Sequence, residues 1–376
     1  MKVFIGNNNA CGLCYEYSVI YTELATKYEI TKSVEDADVV IFPGTCCCTE
    51  FHILINIQYI EEVLKYKKED AKVYLAGCMS REVKDEPFLT EYKEWLNKNV
   101  DVIIPQGKLK SLLTLISDED YKDSDIGEFA YTVNEDRDIA SIYVSRGCLN
   151  NCSFCKATFQ DFTLTSVPYS QVVKIIDLID EKKISSLSIK GHNICQYGLD
   201  TENKYLLPDL IKYIETKNNI KNVDLIGFSF KDAIENGFDS VIGSSKKVNY
   251  ISGSLESGSN RVLELIRKGF TSGQIINFVN NIKSLKDIEL NLNIIAGFPT
   301  ETMEDVSMTL DVLKELAPDR VDICRYTNSS FVDSNQLEQL SIDTIQEHAR
   351  VYSKVLTRRG VEVDINGEGY KFNETN

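Results

Sequence analysis

From Ile139 onward, six short β-rich runs recur with helical stretches between them: SIYVSRG, SSLSIKG, NVDLIGF, VNYISGS, LNLNIIAGFP and VDICRYT. The intervening segments, such as SQVVKIIDLIDEKK, RVLELIRKG and DVSMTLDVLKELA, carry apolar residues at helical spacing. Few architectures accept that rhythm. Short apolar strands alternating with amphipathic helices make parallel sheets covered by their own crossovers. Six such units predict a partial (β/α)6 relative of the TIM barrel over residues 139–360, with chemistry placed in loops at the C-terminal ends of its strands. The last helix, SIDTIQEHARVYSKVLTRRG, leaves a tail at 361–376 that is expected to be too short for another domain.

The first part of the chain shows the same alternation on a smaller scale. KVFIGN, ADVVIFPG, KVYLAGC and VDVIIPQ read as strands, and EYSVIYTELATKY, FHILINIQYIEEVLKYKK and KEWLNKN as helices. Residues 1–117 are therefore expected to form a Rossmann-like parallel α/β domain. Between the two regions, residues 118–138 (DEDYKDSDIGEFAYTVNEDRD) are acidic and lack periodicity, as a linker would. The fold class is α/β throughout, with no internal repeat.

Composition narrows the function classes. The formal net charge of −16 argues against a broad grip on phosphate backbones, although it leaves a local basic patch open. No run approaches the roughly 18 consecutive apolar residues of a membrane span. The opening MKVFIGNNNACG is too short in apolar length for a signal peptide, so a cytoplasmic location is expected. In that compartment eleven cysteines point to metal ligation or catalysis rather than disulfides. Burial as small hydrophobes suits the isolated Cys195 and Cys324, and Cys14, but not the clustered cysteines.

The densest chemistry lies at the end of the first strand of the second region. SRGCLNNCSFCKAT places Cys148, Cys152 and Cys155 on one short loop in a C-x3-C-x2-C spacing. Soft thiolates so arranged suit an iron–sulfur centre. Three ligands on a four-iron cube leave one iron open to another molecule, whereas structural zinc takes four protein ligands.

This loop resembles that of the radical S-adenosylmethionine (SAM) enzymes. The resemblance implies a [4Fe–4S] cluster on Cys148, Cys152 and Cys155 whose open iron chelates SAM. Electron transfer from the cluster then generates a 5′-deoxyadenosyl radical. Phe154 matches the aromatic residue common between the second and third cysteines. GHNICQYG stands where the methylthiotransferase branch often has G-Q-D-x-x-x-Y-G, with His192 and Asn193 replacing Gln and Asp. GSLESGSNRVLELIRKGFT resembles the serine/glycine-rich turn near the cofactor, and IIAGFPTETMEDV the G-F-P-G-E-T segment, with Thr300 replacing its second glycine. Phe154, Asn193, Glu256 and Ser257 are thus expected at the cofactor. Glu256 and Ser257 read equally well as caps of a helix beginning near Asn260. His192 reads as a hydrogen-bonded loop residue rather than an acid or base.

Three further cysteine segments follow strands of the first region: ACGLCYEYS after KVFIGN, GTCCCTE after ADVVIFPG, and AGCMSR after KVYLAG. In a parallel sheet such loops share one edge, so their thiolates can meet at a second cluster. The arrangement is similar to that of the radical SAM methylthiotransferases, over nearly the whole chain. The resemblance assigns Cys11, Cys46 and Cys78 to an auxiliary [4Fe–4S] cluster. Cys14 and Tyr17 then replace the asparagine and acid of the family's first segment. Cys47 and Cys48 are left as passengers, substitute ligands or thiols that handle incoming sulfur.

Two departures bear on the substrate. The family's RNA-modifying members usually end in a small RNA-binding β-barrel, which this chain is expected to lack. YTNSSFVDSNQLEQL also lacks the family's Y-S-x-R-x-G-T-x-A pattern.

The reaction that the resemblance implies converts C–H to C–SCH3. One SAM methylates a sulfur held at the auxiliary cluster, and a second supplies the radical. Such an enzyme needs a sulfur donor and a reductant such as flavodoxin or ferredoxin, and no membrane. A peptide or protein substrate is expected, with a tRNA adenosine as the alternative. A radical SAM peptide maturase forming a thioether without methyl transfer is a second alternative, and a thiolate metal-storage or sensor protein is a non-enzymatic one.

Overall fold

The computed structural model describes residues 1–6, 20, 24–25, 27–45, 50–77, 79, 87–104, 109–117, 131–155, 163–328 and 332–365. The chain divides into two compact units, residues 1–132 and 133–376. The boundary falls inside the acidic segment expected as a linker.

The first unit is built on a five-stranded parallel sheet. Its strands are β1 (Lys2–Ile5), β2 (Glu29–Thr31), β3 (Val39–Thr45), β4 (Lys72–Gly77) and β5 (Val102–Ile103), in the order β2-β1-β3-β4-β5. β3 and β4 are apolar because they are covered on both faces. Val40, Phe42, Val73 and Leu75 are buried together with Ile60 of the helix Glu50–Leu64 and Leu96 of the helix Pro87–Asn99. Each such side chain contributes about 1.5–3 kcal/mol by leaving water.

This order makes β1, β3 and β4 neighbours, all pointing the same way. Thr45 and Gly77 stand opposite each other in register at the ends of β3 and β4. Cys46 and Cys78 are the next residues in sequence. Those two, with Cys11, Cys14, Cys47 and Cys48, lie outside the described residues.

The second sheet has nine strands: β6 (Tyr131–Asn134), β7 (Ile139–Arg146), β8 (Thr165–Ser166), β9 (Ser186–Gly191), β10 (Asn222–Phe228), β11 (Val248–Glu256), β12 (Glu289–Ala296), β13 (Arg320–Arg325) and β14 (Glu362–Ile365). Their order is β14-β13-β12-β11-β10-β9-β7-β6, with the two-residue β8 antiparallel on β7. All six runs read as strands are present, and each is parallel to the next. The tail adds what periodicity did not disclose. Residues 362–365 pair with β13 as a further parallel strand.

The two faces of this sheet differ. Ile142, Val144, Leu187, Ile189, Leu292 and Ile323 are fully buried on one side. The alternating positions are polar. Ser188 Oγ donates to Asp224 Oδ2 at 2.9 Å, Asn291 Nδ2 to Asp322 Oδ2 at 2.9 Å, and the Lys190 ammonium lies 5.7 Å from the Tyr143 ring centre. A closed TIM barrel packs its centre with branched apolar residues; this interior is instead lined with hydrogen-bonding groups. No helix among the described residues is long and apolar enough to cross a membrane.

Candidate metal centre

The cysteine loop begins where β7 runs out. Gly147 has φ +81°, a left-handed conformation that turns the chain away from the strand at no steric cost. Its N–H donates to His192 Nδ1 at 2.9 Å, so His192 is the hydrogen-bonded loop residue that its context implied. Leu149 N donates to Gln196 Oε1 at 2.8 Å. Further along, Ser153 N and Oγ donate to the carbonyls of Ile266 (2.9 Å) and Leu265 (2.8 Å), and Ser334 N donates to Ser153 O at 2.9 Å. Three other segments, at His192–Gln196, Leu265–Ile266 and Ser334, therefore hold one nine-residue stretch, from Gly147 to Cys155, without any ligand's help.

Gly227 shows how closely these segments meet. It has φ +84°, and a Cβ there would lie 1.9 Å from the carbonyl oxygen of Gly191. Only glycine lets the end of β10 approach the turn that carries His192, Asn193 and Gln196.

Cys148, Cys152 and Cys155 are free and half-buried. Burial pushes the Cys148 thiol up, against N–H groups from Asn193 Nδ2 (3.3 Å) and Asn150 N (3.4 Å) that favour the thiolate. Burial pushes Cys152 up to about 11, partly offset by the nearby Lys268 ammonium. Thiols so placed give up their protons when a metal replaces them. Among the described residues no three Cys, His, Asp or Glu side chains close on the position of one metal ion. A four-iron cube takes each sulfur at a separate corner, so this donor set fits a cluster better than a single ion.

The other expected site residues have definite places. Phe154 packs with Cys152 against Val262, Ile266, Ile295, Phe298 and Tyr326. Asn193 is engaged by protein at every polar atom of its side chain: Oδ1 accepts from Cys195 N at 3.2 Å, and Nδ2 donates to Cys148 Sγ and to Asp232 Oδ2 at 2.9 Å. Its place is behind Cys148. Glu256 ends β11 with φ +67° beside a register shift, and is paired with Lys268 at 3.2 Å with both side chains buried. A non-glycine residue held in that region costs about 1–3 kcal/mol, and such strain clusters at functional sites. Burial works to lower the Lys268 pKa, but Glu256 and Cys152 outweigh it and keep the ammonium charged.

Neither Glu256 nor Ser257 caps the following helix. The cap of Asn260–Ile266 is Ser259, whose side chain accepts from Val262 N. Ser257 Oγ instead meets Thr309 Oγ1 at 3.1 Å and accepts from Ser259 N at 3.1 Å. That ties the turn to the helix Met303–Leu316.

Thr300, which stands where the resembling pattern has glycine, adopts φ +65°. Arg261 holds it there, donating to Thr300 Oγ1 at 3.1 Å and to its carbonyl at 2.8 Å.

Sequence reasoning missed Asp232, Gln196 and Lys268. Asp232 lies in SFKD, which reads as an ordinary helix start: Ser229 is indeed the N-cap, accepting from Asp232 N. Lys268 is a buried cation with no spacing signal of its own.

A cysteine loop at the end of the first strand of a partial parallel barrel, with a polar interior beneath it, defines a radical SAM domain. Residues 142–313 match the family described as the Radical SAM superfamily. Along most of its length the chain is similar to methylthiotransferases. It is 27% identical over 348 residues to the probable threonylcarbamoyladenosine tRNA methylthiotransferase of Archaeoglobus fulgidus, covering 90% of this chain and 79% of that one. It is 22% identical over 350 residues to the ribosomal protein uS12 methylthiotransferase RimO of Chlamydia pneumoniae, covering 90% and 73%. The solved structure of the cobalamin-dependent SAM radical enzyme OxsB shares the fold, with TM-score 0.52 at 12% identity; the match covers 96% of this chain and 61% of that one. The superfamily implies a [4Fe–4S] cluster and SAM.

Proposed function

We propose that this protein is a radical SAM methylthiotransferase that replaces a C–H hydrogen with SCH3 on a peptide or protein. The observation that carries the reading is the coincidence of two things. A loop with three half-buried thiols is locked in place at the strand ends of the second unit, and the similarity to methylthiotransferases extends through the first unit as well. When bound, the cluster and SAM supply the radical that removes substrate hydrogen. The protein's own part is to hold Cys148, Cys152 and Cys155 as thiolate donors, to keep Lys268 and Glu256 beside them, and to offer the polar face of the sheet to the substrate.

For the first unit, Cys11, Cys46 and Cys78 are proposed as ligands of an auxiliary [4Fe–4S] cluster that holds the sulfur to be transferred. Support comes from the parallel, adjacent strands β1, β3 and β4 that precede them. A sulfur donor and a reductant such as flavodoxin or ferredoxin complete the set of partners. The preference for a peptide or protein rests on the net charge of −16 and on the carboxylates Asp224 and Asp322 in the barrel interior, both of which disfavour a polyphosphate ligand.

The test is anaerobic reconstitution followed by incubation with SAM, reductant and either unmodified tRNA or peptides from candidate protein substrates. The expected result is a mass gain of one CH2S unit on a peptide, with both 5′-deoxyadenosine and S-adenosylhomocysteine released. Robust product on tRNA would overturn the substrate class. Deoxyadenosine without S-adenosylhomocysteine would favour a thioether-forming maturase.

A further inference from the structure

Asp232, in the first turn of the helix Phe230–Glu235, is buried, yet no cation pairs with it among the described residues. Its carboxylate instead receives Asn193 Nδ2 at 2.9 Å, Asn150 Nδ2 at 3.0 Å, Gln196 Nε2 at 3.0 Å and the Ser229 hydroxyl at 2.5 Å.

The orientation of each amide is fixed from its other end. Cys195 N donates to Asn193 Oδ1 at 3.2 Å, Leu149 N to Gln196 Oε1 at 2.8 Å, and Lys231 Nζ to Asn150 Oδ1 at 3.3 Å. A backbone N–H and an ammonium are donors only, so those three atoms must be oxygens and the three NH2 groups must face Asp232. Asp232 is therefore met by donors alone.

One of these NH2 groups has a second task. Asn193 Nδ2 also donates to Cys148 Sγ, at 3.3 Å. Carboxylate, amide and cysteine sulfur thus form a single hydrogen-bonded line, with Gln196 and Asn150 bracing it from the sides.

We propose that Asp232 is a positioning residue for the centre that Cys148 helps to hold: it fixes the Asn193 amide so that one N–H points at the ligand sulfur, and together they set how readily that centre accepts an electron. The inference rests on the reading of Cys148, Cys152 and Cys155 as ligands of a [4Fe–4S] cluster. Partners outside the ligand set orient ligands and tune the metal, and hydrogen bonds to cluster sulfurs and nearby charge are levers on the potential. The two levers act in opposite directions. An N–H donated to sulfur withdraws electron density and favours the reduced cluster, whereas a buried anion disfavours the added negative charge.

The test compares wild type, Asn193→Ala and Asp232→Asn after anaerobic reconstitution of the full chain. Iron is counted, and the midpoint potential is read from the reduced-cluster electron paramagnetic resonance signal that changes on adding SAM. Asn193→Ala is expected to lower the reduced-to-oxidised ratio at fixed potential about tenfold, about 59 mV for a one-electron couple. Asp232→Asn, which keeps an acceptor oxygen but removes the charge, is expected to raise it by a similar factor. Clusters present in both variants with unchanged midpoints, or shifted the same way, overturn this role and leave the cluster assignment standing. Should Asp232→Asn take up no iron, the midpoint of Asn193→Ala decides alone. Wild-type protein without a SAM-sensitive signal removes the cluster assignment and this role with it.

Discussion

Glu301 offers the sharpest stability test, because its surroundings leave little freedom in the expected outcome. It lies in the turn after β12, with its side chain wholly buried. Oε2 accepts from Gly297 N at 2.6 Å and meets His348 Nδ1 at 2.7 Å, and Oε1 accepts from the Tyr352 hydroxyl at 3.1 Å. His348 and Tyr352 belong to the helix Ile342–Arg358 and are themselves buried. The carboxylate is therefore the joint between the GFPTET turn and the last helix. Glu301→Ala strands an imidazole, a phenol and a backbone N–H at about 1–3 kcal/mol each, some of it recovered by water entering the cavity. Loss of a buried hydrogen-bond network of this kind should cost about 3–5 kcal/mol in all. At about 2–4 °C per kcal/mol for a unit of this size, the thermal midpoint should fall by about 6–20 °C. Far-UV circular dichroism on heating reads the shift, and urea denaturation reads the free energy. Glu301→Gln keeps one acceptor oxygen and should cost about 1–3 kcal/mol. His348→Ala should add little once Glu301 is already alanine, since the two losses are one interaction. A Glu301→Ala midpoint within about 1 kcal/mol of wild type, or full additivity with His348→Ala, would refute the idea that this carboxylate joins the two segments.

Asp305 provides a pH test. Burial pushes its carboxyl up, but hydrogen bonds from Arg261, Ser259 and Thr302 prevail and hold it well below the usual carboxylate range. A depressed folded-state pKa gives stability that is present above the unfolded value, about 3.9, and lost as pH falls through the folded value. Urea midpoints of wild type should thus drop from about pH 4 downward, and those of Asp305→Asn should drop less over the same window. Gly227→Ala should cost at least about 1–3 kcal/mol through the collision with Gly191, and iron taken up after reconstitution should fall because the turn bearing Asn193 and Gln196 is displaced. In the first unit, Cys46→Ala should lower iron from about eight to about four per chain, the content of one cubane rather than two. The same change at Cys47 or Cys48 should leave it unaltered, and iron lost on Cys48→Ala instead would move the ligand by two residues.

The six barrel strands and the main strands of the first sheet were legible because each is an apolar run buried on at least one face. That burial writes itself into composition. β2, β8 and β14 were not, for the converse reason. EIT, TS and EVDI are short and partly exposed, and their polar residues carry no periodic mark until a neighbour pairs with them. The cysteine loop was legible from spacing alone, since ligand geometry leaves a pattern in sequence. What holds the loop was not, because those contacts join Gly147 to His192, Leu149 to Gln196 and Ser153 to Ile266, across separations that only the sheet order determines. Ser257 and Ser259 show the local limit: both stand before the helix, and only the path of the strained Glu256 turn decides which one caps it.

The departures from the family pattern become intelligible once Asp232 is in view. Where the methylthiotransferase segment often has aspartate, this chain has Asn193, and a carboxylate there would lie 2.9 Å from that of Asp232 with no cation between them. Two unpaired carboxylates cannot both stay ionised at that distance in a buried site. In this chain the carboxylate beside the cysteine loop comes from the helix after β10, and the loop after β9 meets it with the Asn193 amide. Thr300 follows the same logic. The left-handed turn that glycine would adopt freely is kept here by Arg261, which Asp305 in turn holds. In both places a side chain from another segment secures a turn whose sequence departs from the family pattern.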